Sequence, residues 1–121
     1  MTLTAISISR LRTCDIRLQK VVEEVSRRTP IFVLCGFRNK VDQDKAFVEK
    51  KSKAPWPKSA HNSTPSMAVD IGPDPLDYLN LKAFMALAII VKAVAKEMNI
   101  GIRWGGEFKS LKDYVHWELL E

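Results

Sequence analysis

Apolar residues recur at helical spacing after Thr13: Ile16, Leu18, Val21, Val22 and Val25 form one stripe, and the pattern stops before Pro30. This predicts a first helix with Thr13 as its N-cap candidate. Ile31 to Cys35 is a short apolar run closed by Gly36, which reads as a buried strand that delivers Arg38 just past its end. Asp42 to Lys50 reads as a short helix with Ala46 and Phe47 inward. Lys51 to Ser66 carries three prolines among Ser, Asn and Lys and reads as a loop.

Strand-like alternation resumes from Met67 to Ile71 and ends in the Gly72 to Pro75 turn chemistry. A long helix follows over 77–98, with Leu81, Phe84, Met85, Ala88, Ile89, Val91 and Val94 as a broad core-facing surface. Ile100 to Trp104 and Val115 to Leu120 read as two further strands separated by the Gly105-Gly106 break. The pattern predicts an α+β fold with a small, mainly antiparallel sheet packed with helices.

Length narrows this to a single domain over 1–121, since 121 residues bury one core comfortably and two poorly. Met1 to Ser9 lacks the basic start and apolar stretch of a secretion signal, and the longest apolar run, Phe84 to Val91, is far short of the roughly 20 residues that span a bilayer. Cytoplasmic synthesis without stable membrane insertion is expected. Cys14 and Cys35 allow at most one bridge and form no C-x-x-C pair; reduced thiols are expected.

The net charge of +5 suits a polyanionic partner. Six lysines between Lys40 and Lys58 oppose Asp42, Asp44 and Glu49, which reads as a solvated face. Charge without an interleaved basic and aromatic stripe gives no case for nucleic acid. Trp56, Trp104 and Trp117 read as core or rim residues.

The chain has only two histidines, His61 and His116, each in or beside a predicted strand with acidic residues nearby. Alternation puts Val69 and Ile71 on one face and Asp70 on the other. It likewise sets Val115, Trp117 and Leu119 against His116 and Glu118. If these strands pair, two imidazoles and one carboxylate converge, with a fourth position left for water as in a catalytic metal site. A hydrogen-bonded structural pair fits the same spacing.

The stretch Ser59-Ala60-His61-Asn62-Ser63-Thr64-Pro65-Ser66-Met67-Ala68-Val69-Asp70, followed by Asp113-Tyr114-Val115-His116-Trp117-Glu118, resembles the zinc D-Ala-D-Ala carboxypeptidase and L-alanyl-D-glutamate endopeptidase metallopeptidases. Ser9-Arg10-Leu11, Leu34-Cys35-Gly36-Phe37-Arg38 with Gln43, and Arg103-Trp104-Gly105-Gly106 extend the likeness over nearly the whole chain. The general pattern S-x-H-x-x-G-x-A-x-D has a shorter His-to-Asp offset and a Gly missing here. The phage endolysin version, S-x-H-N-x-x-P-S-x-A-x-D, matches in full.

The resemblance implies a hedgehog/DD-peptidase-like fold, with His61, Asp70 and His116 as ligands of a zinc ion. It implies Asp113 as general base and Arg38 as the cation facing the carbonyl oxygen that becomes negative. Glu118 is the competing base or an acceptor holding a ligand histidine; Ser59 and Gln43 position substrate or brace the site. The implied activity is cleavage of the peptidoglycan stem peptide, at the L-alanyl-D-glutamate bond, by a monomeric endolysin. Such an enzyme waits in the host cytoplasm until lysis and then acts on the wall. Alternatives are a D,D-carboxypeptidase or dipeptidase on terminal D-alanine, and a metal-stabilised wall-binding module without turnover.

Overall fold

Each helix begins at a side chain that accepts a hydrogen bond from its own first turn, a contribution of about 1 kcal/mol apiece. In the computed structural model, which describes residues 3–120, these caps are Thr4, Asp15, Asn39 and Asn80. They open Ala5–Leu11 (α1), Ile16–Arg28 (α2), Lys40–Val48 (α3) and Leu81–Glu97 (α4). The strands are Ile31–Cys35 (β1), Ala68–Pro73 (β2), Ile102–Trp104 (β3) and His116–Leu119 (β4), all antiparallel in the order β1-β2-β4-β3. Short 3-10 turns occupy Ala60–Asn62 and Gly105–Glu107.

Asp15, not Thr13, caps α2. Thr13 instead donates its hydroxyl to the Arg10 carbonyl and accepts from Phe37 N–H, tying the end of β1 to the α1–α2 connection. That contact needs Gly36, because a Cβ there would collide with Thr13 Oγ1 and the Arg10 carbonyl. Helix α1 was not foreseen. Its alternating Ile and Ser residues mimic a strand, yet Ser7 and Leu11, one turn apart, are the buried pair.

The α2 stripe of Leu18, Val21, Val22 and Val25 is at most 1% exposed and packs toward α4. Burial of each contributes roughly 1.5–3 kcal/mol. Ile16, at the first turn, is exposed. Helix α4 buries Phe84, Leu87, Ala88, Val91, Val94 and Ala95 against the sheet and α2. Leu81, Met85 and Ile89 lie outside this core, contrary to the broad face expected of them, because one side of a helix at 3.6 residues per turn cannot hold all of these positions. In α3 the inward residue is Gln43, whereas Phe47 points outward.

On one face of the sheet Val33, Val69, Ile71, Trp117 and Leu119 join the helical core. Trp104 stacks on Trp117 with centroids 5.8 Å apart and donates its indole N–H to the Tyr114 carbonyl. Strand β2 continues through Gly72 and Pro73, paired to Phe32 and Ile31, beyond the turn the sequence suggested. No helix among the described residues is long and apolar enough to cross a membrane.

Candidate active site

Pairing places Asp70 directly opposite His116, and Ala68 opposite Glu118. Directly opposed residues of antiparallel strands share a face, so Asp70, His116 and Glu118 stand together on the side away from the helical core. On β1 the register slips between Val33 and Cys35, leaving Leu34 as the extra residue of a bulge. Simple alternation would put Cys35 with Val33; the bulge turns it to the face of Asp70.

His61 arrives from outside the sheet. Ser59 and Asn62 form a capping box around the Ala60–Asn62 turn: the Ser59 hydroxyl accepts from His61 N–H and the Asn62 side chain accepts from Ser59 N–H. Met67 N–H then bonds back to the Ala60 carbonyl, and Arg38 N–H donates to the His61 carbonyl. The nine-residue link from His61 to Asp70 is thus a folded loop that brings His61 Nε2 to 3.0 Å from Asp70 Oδ1.

His61 Nε2 also lies 3.2 Å from His116 Nδ1, which is 3.4 Å from Asp70 Oδ1. The remaining ring nitrogens fix what occupies this triangle. His61 Nδ1 is 2.7 Å from the Gly36 carbonyl, and His116 Nε2 is 2.7 Å from Glu118 Oε1. Both oxygens only accept, so each of those nitrogens carries its proton. A neutral ring then offers a lone pair at its other nitrogen. With both rings neutral, two imidazole lone pairs and a carboxylate oxygen converge with no hydrogen between them, an arrangement that a cation would satisfy. Metal–ligand distances of about 2.0–2.1 Å in a tetrahedron place donor atoms roughly 3.3 Å apart, and this triangle has that size.

Electrostatics make the same demand. Burial would depress the His61 pKa, but the Asp70 carboxylate outweighs it and carries it to about 10. His116 is likewise buried and raised by its hydrogen bonds to Asp70 and Glu118, and despite burial the two rings hold the Asp70 carboxyl well below the usual range. Without a metal, protons must supply the positive charge.

Asp113 has a carboxylate oxygen within 4.8 Å of donor atoms on both Asp70 and His116, and its side chain makes no hydrogen bond among the described residues. Burial first, and then the Asp70 charge, raise its pKa. The backbone around it is tight: Asp113 N–H donates to Gly105 O, and a Cβ at Gly105 would collide with the Asp113 carbonyl. Glu118 differs. Its oxygens bond His116 and Arg103, and its pKa is lowered, chiefly by His116.

Arg38 donates to Gln43 Oε1 at 3.1 Å and pairs with Asp70 Oδ2 at 3.5 Å. Gln43 is fully buried: its carbonyl also accepts from Asn62, while its amide donates to Ser52 Oγ and the Ala54 carbonyl. All the residues singled out from sequence therefore fall in one region. Arg38, Ser59, His61, Asp113, His116 and Glu118 line a cleft of about 680 Å³; Asp70 bonds to His61, His116 and Arg38, and Gln43 braces Arg38.

Sequence reasoning missed Cys35, whose thiol lies within 4.8 Å of donor atoms on His61 and Asp70, and Asn62. The bulge hid Cys35. Asn62 was legible as the N of the S-x-H-N motif and as the third residue of a capping box, but not as a partner of Arg38 and Gln43. Both cysteines are free thiols.

Residues 52–119 match the family described as D-alanyl-D-alanine carboxypeptidase, a span holding His61, Asp70, Asp113 and His116. The crystal structure of the Serratia marcescens L-Ala D-Glu endopeptidase ChiX is similar over 98% of this chain and 90% of that one, with 28% identity and a TM-score of 0.82. No curated protein matches. The matched span covers more than half of the chain and contains its whole histidine and carboxylate cluster, so the protein belongs to the D-alanyl-D-alanine carboxypeptidase family and is a metallopeptidase.

Proposed function

We propose that the chain is a zinc-dependent peptidoglycan hydrolase that cuts the L-alanyl-D-glutamate bond of the stem peptide. The triangle of three lone pairs carries this reading, with His61 Nε2, His116 Nδ1 and Asp70 Oδ1 as the atoms that would hold zinc. The likeness to the Serratia marcescens endopeptidase, spanning nearly all of both chains, supports the choice of bond. When bound, zinc polarises the scissile carbonyl and lowers the pKa of a coordinated water toward about 7.

Asp113 takes the proton of the attacking water and passes it to the leaving amine. Its carboxylate oxygen within 4.8 Å of donor atoms on Asp70 and His116, and a pKa raised by burial, support this role. Arg38 stabilises the carbonyl oxygen as it becomes negative, its guanidinium held in place by Gln43 and Asp70. Glu118 fixes the tautomer and orientation of His116. With one oxygen on His116 and another on Arg103, it is poorly placed to act as the base.

Zinc content and wall digestion by wild type, Asp113→Asn and Glu118→Gln test these roles. Asp113→Asn should keep zinc and lose cleavage; full activity in that variant would remove Asp113 as base. Mass analysis of digested muropeptides tests the bond. New ends at alanine and glutamate are expected, whereas release of D-alanine alone would establish the second reading, a D,D-carboxypeptidase, which the family's description favours. The phage-type motif from Ser59 to Asp70 supports an endolysin role. Expression inside bacteria should then cause lysis only with a pore-forming protein.

A further inference from the structure

The cleft is asymmetric in charge beyond the metal triangle. Its loop at 51–59 contributes Lys51, Lys53 and Lys58, while another lining segment contributes Phe108 and Leu111. Of the acidic groups nearby, Glu118 is engaged with His116 and Arg103 and Asp70 with both imidazoles and Arg38, while Asp113 lines the cleft without an ion-pair partner among the described residues, within 4.8 Å of donor atoms on Asp70 and His116. Lys51 has an exposed pair with Glu49 at 3.3 Å, whereas Lys53 and Lys58 have no acidic partner within ion-pair distance among the described residues. A surplus of ammonium groups therefore lines one part of the substrate cleft.

This loop is anchored. The buried Gln43 amide donates to Ser52 Oγ and the Ala54 carbonyl, on either side of Lys53, and Lys58 N–H donates to the Pro55 carbonyl. The same Gln43 holds Arg38 through its carbonyl oxygen, so one side chain sets the lysine loop and the guanidinium in register. Phe108 sits 5.6 Å from the His116 ring, bringing apolar surface close to the triangle. A peptide lying in this cleft meets apolar surface near the reacting bond and unneutralised positive charge along the 51–59 loop.

We infer that Lys53 and Lys58, with Lys51 beside them, form a subsite for a free carboxylate of the peptide, so that the enzyme selects acidic peptides over their carboxamide twins. The inference rests on the proposed peptide substrate and adds what the cleft demands of it. A glutamate beside the scissile bond carries one carboxyl group beyond the one that continues the chain, and amidation removes that charge while keeping its shape.

The test measures binding separately from turnover. The full-length Asp113→Asn protein is titrated with two peptides containing L-alanyl-γ-D-glutamate, one with the glutamate α-carboxylate free and one with it as carboxamide. The free acid should bind on the order of tenfold tighter at low salt, as expected for two partly screened ion pairs. Adding Lys53→Ala and Lys58→Ala should bring the ratio near one, while Lys82→Ala, the same charge change on α4 away from the cleft, should leave it intact. Equal binding of the two peptides, or a preference that survives loss of both lysines, would overturn the subsite.

Wild-type digestion of the same peptides keeps the two readings apart. Cleavage without carboxylate preference sinks only the subsite. Carboxylate-dependent binding without cleavage sinks only the bond assignment, and absence of both overturns the two together.

Discussion

The two faces of strands β2 and β4 are built from adjacent residues and obey opposite rules. Val69, Ile71, Trp117 and Leu119 fill one face by shape, in the core that they share with buried residues of α2 and α4. Asp70, His116 and Glu118 hold the other by atom-specific bonds, and there a methylene matters less than where a lone pair points. Volume-conserving exchanges are tolerated on the first face. On the second, an isosteric exchange removes the chemistry and leaves the packing almost untouched.

Substitutions break this contrast in graded steps. His61→Ala should abolish zinc retention and cleavage together, while the circular dichroism spectrum stays native; retention of stoichiometric zinc would remove His61 from the triangle. Asp113→Asn should lower kcat by roughly 10²–10⁴ with zinc still bound, as expected when a proton-transfer group is lost. Leu18→Ala on the core side should cost about 2–5 kcal/mol in a urea melt, yet leave kcat per folded molecule unchanged. Glu118→Gln should weaken zinc affinity about 10–100-fold, read by competition with a chelating dye. Ile89→Ser on the exposed side of α4 should shift stability by no more than about 0.5 kcal/mol; a larger loss would mean that this side is packed after all.

The same contrast explains what could be read in advance. Period-two alternation in Met67–Ile71 and Val115–Leu120 placed Asp70 and His116 on a common face, because β2 and β4 pair without a bulge there. Where the backbone departs from that period, the inference failed: Leu34 adds a residue and Cys35 changes sides. Ser7 was equally opaque, and Gln43 was legible only through the family resemblance. A buried polar residue looks like a surface one until its partners are known, and these partners, Val33 N–H for Ser7 and Arg38, Ser52 and Asn62 for Gln43, are distant in sequence or join through loops. The lysine-rich stretch read as a solvated face, yet part of it lines the cleft. Charge patterning reports exposure to water, and a substrate cleft is also wet.

The two imidazoles of the site differ in how they are secured. Glu118, which orients His116, is a side chain, and a single codon change can delete it. The acceptor that orients His61 is the main-chain oxygen of Gly36, which also receives the Ser66 hydroxyl. No substitution can delete a peptide carbonyl. Mutation can loosen His61 only by displacing the backbone at position 36, where any side chain larger than hydrogen already collides with Thr13 and Arg10. Genetic drift can therefore retune one half of the metal site gradually, while the other half is either kept or lost with the local fold.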